Sequence, residues 1–455
     1  MIADLRRLLQ KLEIDRAVFF VLLNRGWQLL AGPISILLLT RYFSLDVQGF
    51  YYTFSSLLAL QSFVELALYL VIINVASHEW AHLGLDSAGY IVGNPQALSR
   101  LVSLGQLVFR WYAVVSAVFV VGVGTIGLVF FSQTPVADVQ WQAPWLVLVF
   151  LTGLLLWGLP FNSLLEGCNQ VETINKFRLI QAILSNLALW LTISLGGELW
   201  AAVASSGVSL LCDLYLLLVG YRRFFKPFFK PVTGVRIHWK SEIWPMQWRL
   251  ALQGVVNYFA YSLFTPVMFH YHGAAVAGRM GMTWQIVNVI QGIALAWVYP
   301  KVPRFGMLIA KKDYAALNHF WQRVSLVSMV VVTGSSILVW LLVYGLHLLQ
   351  VPLAERLLGS VPTTLFLLAT ILMQIIQCQA AYLRAHKKEP LVVSSVVSSV
   401  AIGCLVWGLG SRFGATGAAA AYLFVISILT LPWTTIIWFR SRAKWHQPEN
   451  DTPSL

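Results

Sequence analysis

Charge is scarce in this chain. Only 11% of its 455 residues are Asp, Glu, Lys or Arg, and only 18 are acidic. Soluble domains carry about a quarter charged residues, so water is excluded as the solvent for most of the chain. Cysteine is also scarce. The four, Cys168, Cys212, Cys378 and Cys404, stand singly in or beside apolar runs, which excludes a disulfide framework and a cysteine metal centre; small core residues are expected. There is no GxxxxGK[ST] loop for phosphate-loop hydrolysis, no HExxH, no clustered His and Cys, and no paired carboxylates in a loop. No catalytic residue, metal or cofactor is therefore expected. No polar block large enough for a soluble domain interrupts the apolar sequence either.

Apolar runs are what the chain has. Hydrophobic residues make up 58% of it, and runs of roughly 20, enough to cross a bilayer core as helix, recur from end to end. The predicted spans are 17–40, 49–76, 103–131, 142–165, 177–196, 200–221, 243–268, 280–300, 321–346, 360–383, 390–410 and 415–439. The expected class is all-α: a polytopic membrane protein of twelve transmembrane helices. The first segment, full length and ending in "LLLTRYF", reads as a retained helix rather than a cleaved signal.

A net charge of +13 would suggest nucleic acid for a soluble protein, but here the placement of the cations accounts for it. The N-terminus and the even-numbered connections hold 24 Lys and Arg, whereas the opposite loops hold four: Arg41, Arg279, Arg356 and Arg412. That asymmetry predicts both termini in the cytoplasm and no nucleic-acid partner.

The longest polar interval between spans, 222–242, is basic and proline-containing. It is expected to be a cytoplasmic linker between an N-terminal six-helix lobe, 1–221, and a C-terminal six-helix lobe with a cytoplasmic tail, 243–455. Three pairs of segments recur at about half the chain length. "VQGFYYTFSSL" at 47–57 matches "VAGRMGMTWQI" at 276–286; "LLEGCNQVE" at 164–172 matches "YLRAHKKEP" at 382–390; "LWAAVASSG" at 199–207 matches "GATGAAAAY" at 414–422. Their common order points to a duplication. Six helices per half make the repeats parallel, a plan in which carriers bind substrate between the halves.

Polar side chains inside spans are costly unless paired or facing water. Arg25 lies roughly 12 Å into the first span and Glu65 roughly 16 Å from the inner end of the second, by helical rise, so the two are expected at similar depth and within pairing reach. Arg25 and Gln28 share a face, as do Gln61 and Glu65. In the second half, Arg249, Gln253, Asn257 and Tyr261 follow at steps of four, and Trp284, Asn288 and Gln291 continue the pattern on the next helix. These stripes are expected to converge on a cavity between the halves, where two guanidinium groups would suit a diphosphate. The alternatives are a snorkelling or ion-paired Arg25 and amides that only join helices. Asp213 reads as structural, and Trp80, Trp141, Trp145, Trp239 and Trp244 as interfacial. Trp27, Trp284 and Trp297 are candidates for stacking on a sugar.

"GFYYTFSSLLALQSFVELALYLVIINVASHEWAHL", from Gly49 to Leu83, with "LLEGCNQVETINKFRLI" after the fourth span, resembles the polysaccharide transporters. These are the O-antigen type flippases of the multidrug/oligosaccharidyl-lipid/polysaccharide exporter superfamily. The resemblance implies two six-helix bundles forming a V around a cationic central cavity, to which Arg25 and Arg249 fit by type. It also implies alternating access and an undecaprenyl-diphosphate-linked oligosaccharide moved to the outer leaflet of a bacterial inner membrane for surface polysaccharide biosynthesis. Membrane lipid and a glycan polymerase or other assembly protein would be the further partners. A cation-coupled drug exporter of the same superfamily is the rival, disfavoured by arginine and no acid on the first and seventh helices. A membrane glycan polymerase or ligase is a third reading, for which the outer loops are short.

Overall fold

The computed structural model describes residues 16–66, 68–133, 139–232, 234–386 and 388–446. Helix α1, Arg16–Tyr42, carries Pro33 in its interior. Proline removes one backbone bond; along the same helix the Ser35 hydroxyl donates to the Ala31 carbonyl at 2.9 Å, and Thr40 to Ile36 at 2.8 Å. Ser44 then caps α2, Leu45–Leu58, by accepting from the Val47 N–H.

The span expected at 49–76 is broken. A short helix α3, Gln61–Glu65, ends on Leu66 in the left-handed region at φ 54°, and α4, Leu68–Trp80, leaves at 47° to the segment before it. A small antiparallel hairpin follows, β1 (Leu83–Leu85) against β2 (Ile91–Gly93). Its turn is built by Asp86, whose carboxylate accepts from Ala88 and Tyr90, and by Gly89 at φ 83°.

Asn94 and Pro95 then start α5, Pro95–Ser132. At 38 residues it is about 57 Å long, well beyond a bilayer core of about 30 Å. The helices α6 (Gln142–Gly167), α7 (Val171–Ser194) and α8 (Trp200–Tyr215) complete the first set, and one wide turn, Leu216–Gly220, extends α8. Here α1 packs on α7, α7 on α8, and α6 on α4, α5 and α8.

The strap from α9 (Arg222–Phe225) to the wide turn Trp239–Ile243 leads into α10, Trp244–Tyr261. Beyond it lie α11 (Phe264–His272), α12 (Ala274–Ala296), α13 (Val302–Ala310), α14 (Tyr314–Leu348) and α15 (Ser360–Ala385). The last helices are α16 (Val392–Phe424) and, after a wide turn, α17 (Leu431–Trp445). Gly414, at φ 63° and ψ −149°, divides α16. A Cβ at Gly410 would lie 3.3 Å from that of Ala418, whereas eight residues of straight helix span about 12 Å. The chain therefore reverses at Gly414, between the spans expected at 390–410 and 415–439.

Among the described residues eight helices are long and apolar enough to cross a membrane, or nine with the bent pair α2–α4 counted as one span. The protein is an all-α, multi-pass membrane protein. The three repeated segment pairs fall at matching places. Gly49 and Gly278 are each the fifth residue of their helix, α6 and α15 both end within the second pair, and α8 and the segment after Gly414 both begin within the third.

The chain divides into two compact units, Met1–Val255 and Val256–Leu455. The division thus falls inside α10 and not at 222–242. That interval is folded onto the first unit: Gln106 donates to the carbonyls of Phe228 and Lys230, Ser99 to that of Val235, and the Ile237 N–H to Ser103. Gly105 makes the approach possible, since a Cβ there would meet the Phe228 ring at 2.2 Å.

The core of the first unit is aromatic. Phe50, Phe54, Phe131, Trp141 and Trp145 pack together with centroids about 5–6 Å apart. Trp145 is fully buried, its indole N–H donates to the Gly124 carbonyl, and Gly127 leaves room for its ring. Trp141 and Trp145 are therefore core residues and not the interfacial ones expected. Cys168 and Cys378 are buried as expected, but Cys404 is exposed.

Candidate substrate-binding residues

In the first unit α1 presents Arg25 and Gln28 together at its exposed surface, where the Arg25 Nη1 donates to Gln28 Oε1 at 3.3 Å. That contact is the i to i+3 spacing on one helix face. The expected Arg25–Glu65 pair is not formed. Glu65, last residue of α3, turns instead toward the Tyr112 side chain on α5 and the backbone of Tyr69 on α4. Its Oε1 and the Tyr112 hydroxyl are both buried without completing a hydrogen bond of ordinary geometry. The reason is the break in the second span, whose left-handed Leu66 redirects the chain just after Glu65. Gln61, one turn earlier, is exposed.

Two other carboxylates of this unit's helices have partners. Glu166 binds Arg178 in an ion pair, and Asp213 accepts from the Asn162 amide at 3.3 Å, with Gln181 beside it. Asp213 joins helices, as its structural reading expected. Among the described residues Arg25 has no acidic partner, so it remains an exposed cation inside an apolar helix with only an amide for company.

The side chains of Arg249, Gln253 and Asn257 lie outside the described residues; their backbone is helical in α10. On α12 the expected stripe separates into unlike parts. Trp284, 8% exposed, is enclosed by Phe264, Phe366 and Tyr422. This packing, and not a free face for a sugar, is its role in this conformation. Gln291 donates to Gln374 Oε1 at 2.5 Å; Gln374, wholly buried, donates to Ser328 Oγ, which donates to the Ala294 carbonyl at 2.8 Å. That chain is interhelical bonding of α12, α14 and α15. Asn288 is exposed. Of the other tryptophans proposed for stacking, Trp27 packs against Trp190, while Trp297 is 47% exposed with the Lys301 ammonium 4.2 Å over its ring.

Gln374, Ser328, Tyr112 and Asn162 escaped the sequence reading. For Gln374 a signal existed, an amide inside the apolar run "TILMQIIQ". Tyr112 offered none, because tyrosine in an apolar helix is ordinary core. Among the described residues no group of three His, Cys, Asp or Glu side chains is placed to hold a metal ion.

No protein-family model and no curated protein matches the chain. Solved structures do. The fold is similar to the lipid II flippase MurJ in an inward closed conformation, at TM-score 0.66 and 11% identity over 94% of this chain and 88% of that one. It is also similar to an inward-facing multidrug resistance MATE family transporter of the MOP superfamily, at TM-score 0.63 and 12% identity over 90% and 99% of the two chains. The MATE multidrug transporter DinF-BH, in complex with R6G, gives TM-score 0.56 at 12% identity over 97% of each. The chain thus shares its fold with these solved structures.

Proposed function

We propose that this protein is a flippase that moves an undecaprenyl-diphosphate-linked oligosaccharide from the cytoplasmic to the outer leaflet of a bacterial inner membrane by alternating access. It serves surface polysaccharide assembly, and both its termini are cytoplasmic. The observation that carries this reading is Arg25, an exposed cation inside the first apolar run, bonded only to the Gln28 amide while Glu166 and Asp213 are engaged elsewhere. A permanent charge costs several kcal/mol there unless an anion or water meets it, and a guanidinium pairs bidentately with phosphate oxygens. Arg249 on α10 and the exposed amides Gln28, Gln61 and Asn288 are the further groups this reading assigns to a lining that takes a diphosphate head and its sugars.

The likeness of fold is shared by a lipid flippase and by multidrug transporters, so it supports transport and leaves the substrate to Arg25. Glu65, with a buried oxygen that has no partner, is the observation that favours the rival, a cation-coupled drug exporter.

Purifying the protein in mild detergent and weighing the intact complex tests the choice. The flippase reading expects a bound isoprenoid diphosphate in the wild type that is lost in Arg25→Ala. A wild type free of that lipid, in cells that show proton-dependent efflux of a cationic dye, overturns it.

A further inference from the structure

The strap 222–243 leaves a groove beside α5 that none of the candidate transport residues line. Its volume is about 1200 Å³, and its walls combine the Trp111 and Trp239 rings with apolar side chains and the cations Arg110, Lys230 and Arg236. No acidic side chain lines it. Arg100 nearby is already neutralised by Glu79 and Glu242, so these carboxylates are committed elsewhere. All the groove cations are exposed; Arg236 reaches only the Val232 carbonyl at 3.4 Å, and among the described residues Arg110 and Lys230 have no acidic partner. The Trp111 indole N–H is buried without an acceptor.

The depth of the groove identifies the occupant. From Trp111 to Ser132 helix α5 has no charged residue, a stretch of roughly 33 Å by helical rise, close to a bilayer core. Arg110 is the residue immediately before it, so the cations lie where phospholipid phosphates lie and the two tryptophans sit in their usual interfacial belt. On the apolar side Val114 and Phe229 are 64% and 75% exposed, a surface suited to acyl chains and not to a water-soluble anion. The volume also far exceeds what inorganic phosphate needs. The strap is held in place by its bonds to Ser99, Ser103 and Gln106, so the groove is preformed.

We propose that this groove binds an anionic glycerophospholipid, with its phosphate among Arg110, Lys230 and Arg236 and its chains along Val114 and Phe229. The site is separate from the proposed transport path and stands whether the cargo is a lipid diphosphate or a drug.

The test is native mass spectrometry of the purified full chain titrated with phosphatidylglycerol and, separately, phosphatidylcholine. The wild type is expected to bind phosphatidylglycerol preferentially. The triple variant Arg110→Gln, Lys230→Gln, Arg236→Gln is expected to bind it on the order of 100-fold more weakly, since a cation at an anionic lipid surface contributes about a factor of five. Phosphatidylcholine binding should not change. If the triple variant does not purify, Arg110→Gln and Lys230→Gln singly carry the same test, and Arg110→Lys should bind as the wild type does. Equal binding of the two lipids by the wild type, unchanged phosphatidylglycerol binding in the variants, or retention only of an isoprenoid diphosphate would each overturn the proposal.

Discussion

The two units handle polarity inside the membrane differently. In the first, Glu65, Glu166 and Asp213 sit in the helices, with Arg25 and Arg178 among them. In the second the acidic residues before Trp445 are Asp313, Glu355 and Glu389, at a helix cap, a short turn and a connection. Its helices are joined instead by neutral groups, the chain from Gln291 through Gln374 and Ser328 to the Ala294 carbonyl. Buried ions couple strongly to whatever charge approaches them, whereas amides and hydroxyls fix geometry at small electrostatic cost. Halves marked by the same repeated segments have thus come to differ, the first in charge and the second in neutral hydrogen bonding.

The hardest test of that contrast is to remove the charge. Arg25→Ala is expected to lower glycan export by about 100-fold or more, the effect of losing a desolvated charge-assisted pair worth roughly 3 kcal/mol, with the protein still inserted. Arg25→Lys should retain part of the activity, because the charge survives but the bidentate fork does not. Surface glycan measured per inserted protein is the readout. Loss of equal size in Gln291→Leu would break the comparison by making an amide of the second unit matter as much.

Next in size is the neutral network itself. Gln374→Ala leaves the Gln291 amide without its acceptor and Ser328 without its donor, and the site is wholly buried. A cost of roughly 2–3 kcal/mol in stability is expected, read as a lower thermal midpoint in detergent, with export reduced only as far as folded protein is reduced. A variant as stable as the wild type would show that the network binds nothing together.

Glu65→Gln sharpens the other side. Replacing a half-buried carboxylate whose Oε1 has no partner with an amide is expected to leave stability within about 1 kcal/mol and export unchanged. Abolished export with intact folding would make Glu65 a coupling group and move the reading toward the cation-coupled exporter.

The helices were legible in the sequence because lipid forces long apolar runs, and most of the expected spans fall on helix, although 49–76 and 243–268 are interrupted. The break at 59–66 was not, since "LALQSFVELALY" holds no proline or glycine to mark it and only the left-handed Leu66 reveals the bend. That one residue also undid the expected Arg25–Glu65 pair, which depth along straight helices had suggested. The strap at 222–243 looked like a linker because lysine, arginine and proline dominate its composition. Its phenylalanines are what decide its packing: Phe224, Phe225 and Phe228 are buried within the first unit, and Gly105, more than a hundred residues earlier, makes room for the Phe228 ring. At the candidate site, residue type was legible and environment was not. Trp284 was singled out for its position on α12, but the ring that encloses it comes from α11, α15 and α16, which no local pattern encodes.

The smallest effect expected lies where the second unit does carry titratable groups, at the ends of α15 and α17. His386 Nδ1 donates to the Tyr382 carbonyl at 3.0 Å, and His446 Nε2 lies 3.2 Å from the Tyr382 hydroxyl and 3.4 Å from His386 Nε2. With the Tyr382 hydroxyl donating to Asn318, the His446 Nε2–H is left as the donor to both, an arrangement that holds only while His386 is neutral and its Nε2 can accept. Burial lowers the His386 pKa, with Lys388 adding to it, and burial with the charge of His386 and Arg442 holds His446 down to about 4 from an ordinary 6.5. A base whose folded value is depressed binds its proton first in the unfolded chain, so stability falls as pH drops from about 6.5 toward 4 and is level above that window. The thermal midpoint of the wild type should decline across this range, and the decline should flatten in His446→Phe, whose ring keeps the stacking on Tyr314. The same slope in both proteins would assign the pH dependence to the carboxylates of the first unit.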